Sequence, residues 1–362
     1  MCTSILQCPI DGSDLVLMDA ERLAALKRSI ERGEVRHACG TDVKLELEGA
    51  LVNANGSVAY PVIDGIFVLL PHLALNSKAT PTLVSGTAET MAFYDEIGWK
   101  ENANGSFADA VLFEDLRPVS RDYIHRCHLR VKDHLPPGGK YLLDVASGPV
   151  QYPEYLTYSE HYECRVCADI SITALRAAKQ KLGNRGVYIQ CDITQLPLKT
   201  DSMDAFVSLH TIYHVPLERQ HLAFAHLERV LKPGGSGVVV YSWGMHSKVM
   251  EALTADFHPL RMTRRTVRRM IPEFVMELIR GKRQPLPAGG LYFNSHDHGW
   301  VRQHAKGWEL LVWRSVSVAF MKRYVHGRAG EAFLRRLFDA ERANPRFFGR
   351  WGQYPLLVCR KS

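Results

Sequence analysis

Three aspartates, Asp144, Asp169 and Asp192, each close a short apolar run, and they stand 25 and 23 residues apart. The first run and its continuation, LLDVASGPVQY over residues 142–152, place a carboxylate between an apolar stretch and a turn of small residues. A buried strand that ends this way sets backbone N–H groups beside a fixed negative charge, which suits a nucleoside-bearing ligand at the carboxyl end of a parallel sheet. Residues 164–170 and 187–191 supply the runs before the second and third acids. A further strand follows at 205–210, and then the tetrapeptide KPGG at 232–235. Helical stretches lie between them, at 152–159, 171–182 and 217–231. In the second of these, Ile172, Leu175, Ala178 and Leu182 share one face and Ser171 is placed to cap the amino end. Strand–helix alternation of this kind specifies a parallel sheet with helices on both faces. An amphipathic helix over 122–135, stopped by PPGG, precedes it. A strand at 237–243, an insert at 248–300, a strand at 309–316, a helix at 330–342 and a strand at 354–359 complete it.

The motifs DVASG (144–148), ADIS (168–171), CDITQLP (191–197), MDAFVSLHTIYHV (203–215) and RVLKPGG (229–235) make residues 93–359 resemble class I S-adenosylmethionine-dependent methyltransferases, particularly those acting on small molecules and quinones. The resemblance implies a Rossmann-like, doubly wound, mostly parallel seven-stranded sheet and S-adenosyl-L-methionine as cofactor. It implies that Asp169 and Ile170 sit at the ribose, and that Asp192 and Ile193 read the adenine. It also implies that Asp144, Ala146 and Gly148 line the methionine end. Ala146 and Val150 stand where that family has glycine, and Pro149 removes a backbone donor that Ser147 or Gln151 would have to replace. Past the fourth strand, HTIYHV brings His210, Tyr213 and His214 to the edge where cofactor and acceptor meet. A histidine that titrates near neutrality can take a proton from a hydroxyl or an amine, so these three are the catalytic candidates, with His210 also beside the cofactor. A structural hydrogen bond at the sheet edge is the alternative for each.

Residues 1–72 have their own pattern, with LQCPIDGSDLVL, a helical stretch at 20–32, VKLELEG, and AYPVIDGIFVLLP. They resemble the small zinc-ribbon-like domains of methyltransferase activators and of some rRNA guanine methyltransferases. The cysteine pairs such a site needs are eroded: Cys8 is followed by Asp11, and only His37 and Cys39 stand in the second half. A small α+β ribbon-like domain without metal is the expectation. Residues 73–91, rich in Ser, Thr, Pro and Ala, read as a linker to a methyltransferase domain over 92–362. There Tyr94 and Trp99 are placed either to close over the cofactor or to pack a helix.

The chain has 362 residues, 46% of them hydrophobic and 23% charged, enough for one large α/β domain and something small. No apolar run reaches the 18 or more residues of a membrane span, and MCTSILQCPIDG lacks a signal peptide's pattern, so a cytoplasmic protein without membrane attachment is expected. Eight scattered cysteines argue against a disulfide framework. Cys164 and Cys167, at an odd offset on one strand, should face opposite sides of the sheet. Residues 261–283 hold eight Lys/Arg and two Glu, nearly all of the net charge of +7. This segment, within the insert over the acceptor pocket, is a solvated helix face, a grip for an acidic group on a small substrate, or an RNA-binding face. Asn294, His296, Asp297, His298 and Trp300 suggest a pocket-lining loop or, less readily, a metal site. The function expected is methyl transfer to a small molecule. The alternatives are an RNA base methyltransferase and a catalytically idle partner protein with the same fold.

Overall fold

The computed structural model describes residues 3–44, 46–75, 87–99, 107, 113–254 and 293–362. Most of the expected linker and the basic segment 261–283 lie outside them. The chain opens with β1 (Leu15–Leu17), α1 (Ala20–Glu31), β2 (Gly49–Asn53), β3 (Ala59–Ile63) and β4 (Ile66–Val68). Helix α2 (Thr87–Phe93) passes into a π-helical turn, Tyr94–Gly98, and α3 (Pro118–Leu129) follows. The alternating region is β5 (Gly139–Val145), α4 (Pro153–Leu156), β6 (Tyr162–Asp169), α5 (Ile172–Leu182), β7 (Gly186–Gln190), β8 (Met203–Leu209), α6 (Gln220–Val230) and β9 (Leu231–Val240). The last part holds α7 (Lys248–Thr254), α8 (His298–His304), β10 (Glu309–Arg314), α9 (Val318–Tyr324), α10 (Gly327–Ala343), α11 (Pro345–Trp351) and β11 (Tyr354–Arg360). Among the described residues no helix is long and apolar enough to cross a membrane.

The strands form one sheet in the order β1-β2-β3-β4-β7-β6-β5-β8-β9-β11-β10. The expectation of seven strands, mostly parallel, is corrected by this sheet. Among the described residues it has eleven strands and is mixed, with five pairings parallel and five antiparallel. The physical reason lies in β7, the outer strand of the parallel set, whose free N–H and C=O groups invite another strand. Strand β4 takes that place in parallel register, with Ile66 opposite Tyr188, Phe67 opposite Ile189 and Val68 opposite Gln190. The N–H of Leu69 then donates to the Gln190 carbonyl at 2.8 Å. The first residues thereby extend the central sheet.

Strand alternation divides the core between the two faces. Tyr141, Leu143, Val145, Val166 and Ala168 pack on one side with Ala223, Phe224 and Leu227 of α6. Leu142, Cys167, Ala205 and Val207 pack on the other with Tyr123, Cys127, Leu175 and Ala178 from α3 and α5. Cys164 packs against the first cluster and Cys167 belongs to the second, as the odd offset requires. Ser171 Oγ accepts from the Ala174 N–H at 3.1 Å and caps α5. The KPGG tetrapeptide is not a separate turn before the fifth strand. It lies inside β9, which starts at Leu231 and shifts register against β8 between Met203 and Ala205.

Candidate active site

The carboxyl ends of β5, β6, β7 and β8 open into a cavity of about 430 Å³, a size usual for small-molecule sites. The loop after β5 forms its floor. Ala146, Gly148 and Val150 have φ of 52°, 54° and 49°, in the left-handed region that glycine adopts freely and other residues at a cost of roughly 1–2 kcal/mol. The turn thus keeps a glycine-loop shape with only Gly148 retained. A Cβ on Gly148 would lie 2.9 Å from Cη2 of Trp99, so the indole would have to shift. The Trp99 indole covers the loop and stacks on Tyr94 with ring centroids 5.0 Å apart. Both rings line the cavity from the π-helical turn. Asp95 of that turn accepts from the Ser171 hydroxyl, tying the cover to the start of α5. Among the described residues the buried Trp99 Nε1 has no hydrogen-bond partner.

Asp169, at the end of β6, is 5% exposed. Its Oδ2 accepts from the Gly148 N–H and its Oδ1 from the Ser171 N–H, both at 2.8 Å. Burial outweighs these two bonds and pushes the carboxyl up to about 7. Asp192, after β7, accepts from the Thr194 N–H and hydroxyl at 2.8 Å through Oδ1. Its Oδ2 faces Arg219 at 3.4 Å. Ile170 and Ile193 line the cavity beside them. Asp144 borders the cavity and also holds a partner inside the protein. Its Oδ2 takes Arg165 Nε at 3.0 Å and Arg165 Nη2 in a buried ion pair, and Arg165 also donates to the Tyr155 carbonyl at 2.5 Å. Although Asp144 borders the cavity, its charge is committed to Arg165. The sequence does carry a signal for this partner, an arginine inside the otherwise apolar run of β6.

The far wall is built at the ends of β8, β10 and β11. His210 has φ of 59°, and its Nδ1 lies 3.1 Å from the Tyr213 hydroxyl. Its ring packs on Trp313 with centroids 4.5 Å apart. Burial, and then the charges of Arg314, His128 and His214, hold the imidazole well below its ordinary range. His210 is therefore neutral at physiological pH. His214 and Tyr213 stand ring to ring at 4.5 Å and both reach Phe293. Two charged lining residues carry no mark in the sequence motifs, Glu114 and Arg314, joined by a 2.6 Å ion pair. Arg314 ends the apolar strand β10, the same signature that marked the three aspartates.

The other candidates do not gather. Among the described residues no three His, Cys, Asp or Glu side chains stand together as metal ligands would. Cys8 Sγ meets the Tyr60 hydroxyl, Asp11 accepts from Ser13 and Asn53, His37 Nδ1 meets the Leu73 carbonyl, and Cys39 meets Thr41. In the later run Asp297 caps α8, His296 stacks on Trp300 at 3.7 Å, and His298 meets Arg350. These side chains fold the loop, while Phe293 just before them lines the cavity.

Residues 143–239 match the family model of a methyltransferase domain. The match runs from β5 into β9, and S-adenosylmethionine is the cofactor of that class of domain. The residues present fit it: a left-handed loop bordering the cavity, a buried carboxylate at the second strand end, and a second acid at the third. Over 141 residues the chain is 27% identical to the probable tRNA methyltransferase 9B of Mus musculus, across 38% of this chain and 30% of that protein. The corresponding protein of Homo sapiens is 26% identical over 141 residues, 38% of this chain and 29% of its own length. The chain thus matches about 30% of the length of these curated relatives. Among solved structures, a geranyl diphosphate C-methyltransferase from Streptomyces coelicolor A3(2) aligns over 77% of this chain and 99% of its own, with 12% identity and a TM-score of 0.44. A phosphoethanolamine N-methyltransferase 2 from Haemonchus contortus aligns over 80% of this chain and 63% of its own, with 14% identity and a TM-score of 0.42.

Proposed function

We propose that this protein transfers a methyl group from S-adenosylmethionine to a small-molecule acceptor bound against the His210–Tyr213 wall. The observation that carries the proposal is the cavity itself. One part is polar at the strand ends with Asp169 and Asp192, another is aromatic, and Tyr94 and Trp99 line it over the Gly148 loop. When bound, the cofactor supplies an electrophilic methyl carbon on a sulfonium; the chain has to hold, align and shield.

Asp169 would accept from the ribose hydroxyls through lone pairs left by its two backbone bonds. Charge-assisted bonds of this kind are the stronger ones. Asp192 Oδ2 and the Ile193 backbone would read the adenine edge. The Ala146–Gly148 turn would approach the amino-acid end closely, because glycine geometry keeps side chains away from its face. Trp99 Nε1, a buried donor without an acceptor, would gain one from the ligand. On the acceptor side His210 is neutral, so its imidazole can accept a hydrogen bond from a nucleophile. Its depressed pKa makes it a weak base. That favours orienting an amine, carbon or already acidic hydroxyl over stripping a proton from an ordinary alcohol.

An RNA acceptor is the second reading. It is supported by the names of the curated relatives and by the basic segment at 261–283. Incubating the protein with isotopically labelled cofactor and cell extract, with and without ribonuclease, tests both. Label in a small organic fraction that survives ribonuclease is the expected result. Label confined to RNA and lost on digestion would transfer the proposal to the second reading, and no transferred label at all would sink both.

A further inference from the structure

Beyond the cofactor half of the cavity stands a charged group that the methyl-transfer reading leaves unused. Arg314, the last residue of β10, is 1% exposed. Its guanidinium lies against the rings of Trp313 and Tyr354, 4.9 and 4.8 Å from their centroids. A single nitrogen, Nη1, meets Glu114 at 2.6 Å. Among the described residues the buried Nε–H has no hydrogen-bond partner. A buried charged donor without an acceptor is costly, and proteins rarely leave one unless something else fills the place. Glu114 is poorly placed to supply it, because the same Oε1 that meets Arg314 also accepts from the Asp115 N–H at 2.9 Å. The neighbouring Asp115 is itself occupied by Arg117 and Ser120.

The walls around Arg314 define what could approach. Tyr152, Tyr155, Tyr213, Tyr354 and Phe293 line the same cavity, and Tyr354 lies against the guanidinium; among the described lining residues Arg314 is the one arginine or lysine. His210, in the same wall, is neutral and adds no second positive charge. The side edge of a guanidinium, with Nε–H at one prong, matches the two oxygens of a carboxylate.

We propose that Arg314 is the receptor for an anionic oxygen group on the acceptor, and that the acceptor class is small aromatic carboxylic acids. The proposal rests on the methyltransferase reading for its purpose, although the subsite can be tested without it. The aromatic rings would pack the scaffold, Arg314 would fix the acid group, and the atom to be methylated would then face the Asp169 side of the cavity. Glu114 sets the strength of the grip by competing for the guanidinium.

Three flat probes of one size decide the question: 2-naphthoate, 2-naphthamide and 2-(aminomethyl)naphthalene, titrated calorimetrically into the full-length protein, first saturated with S-adenosylhomocysteine and then free. Replacing a neutral bond by a charge-assisted one predicts that naphthoate binds about tenfold tighter than the amide, with the cation weakest. Glu114→Gln keeps an acceptor for Nη1 but removes the competing charge, so it should tighten naphthoate severalfold and leave the amide nearly unchanged. Arg314→Gln should abolish the preference. Since that change is buried and threatens folding, the wild-type comparison and Glu114→Gln stand without it. Equal binding of acid and amide, preference for the cation, or binding of none of the three overturns the proposal. Failure of S-adenosylhomocysteine to bind would instead count against the methyltransferase reading, and titration of the free protein would still decide the subsite.

Discussion

Replacing Asp169 by Asn keeps the size of the side chain, removes its charge and leaves one oxygen where two now accept. In the folded protein the carboxyl titrates at about 7, well above the roughly 3.9 of an unfolded chain. The sign follows from proton binding. Between those values the folded state holds a proton that the unfolded state has released, so the stability of the cofactor-free protein falls as pH rises, by up to about 1.4 kcal/mol per unit. Above about pH 7 both states are ionised and this slope ends. Cofactor binding runs the other way, because ribose hydroxyls donate to the ionised form. With a folded pKa of about 7, the ionised fraction climbs from roughly one tenth at about pH 6 to nine tenths at about pH 8. The Kd for S-adenosylhomocysteine should therefore drop about tenfold across that interval in the wild type. Asp169→Asn should bind weakly at both pH values and show no trend, since one of the Gly148 and Ser171 N–H groups loses its acceptor and no charge remains to titrate. Calorimetric titration at both pH values, alongside urea unfolding of the free protein, reads both effects. A level Kd in the wild type, or the same pH trend in Asp169→Asn, would refute the assignment of Asp169 to the ribose.

Three further outcomes are expected. Ala146→Gly relieves a left-handed residue at φ 52°; the relief of roughly 1–2 kcal/mol exceeds the 0.5–1 kcal/mol lost to backbone entropy, so urea unfolding should show stabilisation of about 0.5 kcal/mol, and a clear loss would contradict the strain argument. Gly148→Ala drives a Cβ into Trp99 and should weaken S-adenosylhomocysteine binding; in a double-mutant cycle Trp99→Ala should recover part of that loss, with a coupling of about 1 kcal/mol, whereas strict additivity would separate the cover from the loop. Deleting residues 1–72 removes β4 from the edge of β7, and light scattering should then show association through the bared strand; a monomeric, stably folded truncation would mean that β7 needs no cover.

Much of the architecture follows from features that are local in the chain. The apolar runs before Asp169 and Asp192 are β6 and β7, and their acids reach the same cavity because parallel strands present their carboxyl ends on one side. Ser171 is readable as a cap because capping needs only a hydroxyl placed three residues before the N–H it receives. The eleven-strand sheet was not readable in the same way. Nothing in AYPVIDGIFVLLP states which edge it will join, and its Ile66–Val68 strand acquires meaning only from the open side of β7.

The site divides along the same line. Strand ends are marked by a charged residue closing an apolar run, and this rule applied evenly would have selected Arg314 after ELLVW as well as the aspartates. What no local pattern states is how such charges are shared. Asp144 has the same signature as Asp169, yet β5 and β6 lie in a register that sets Leu142 beside Arg165, and the long guanidinium then spends the Asp144 charge inside the protein. Among the described residues no cation pairs with Asp169. It is satisfied by two backbone N–H groups alone, and the result is a buried carboxyl that titrates at about 7 instead of a closed ion pair. Two acids with one sequence signature thus end in different surroundings, one in a buried ion pair and one held by backbone N–H groups. The difference is made by an arginine 21 residues from the first acid, whose effect depends on sheet register and not on the motif that contains either acid.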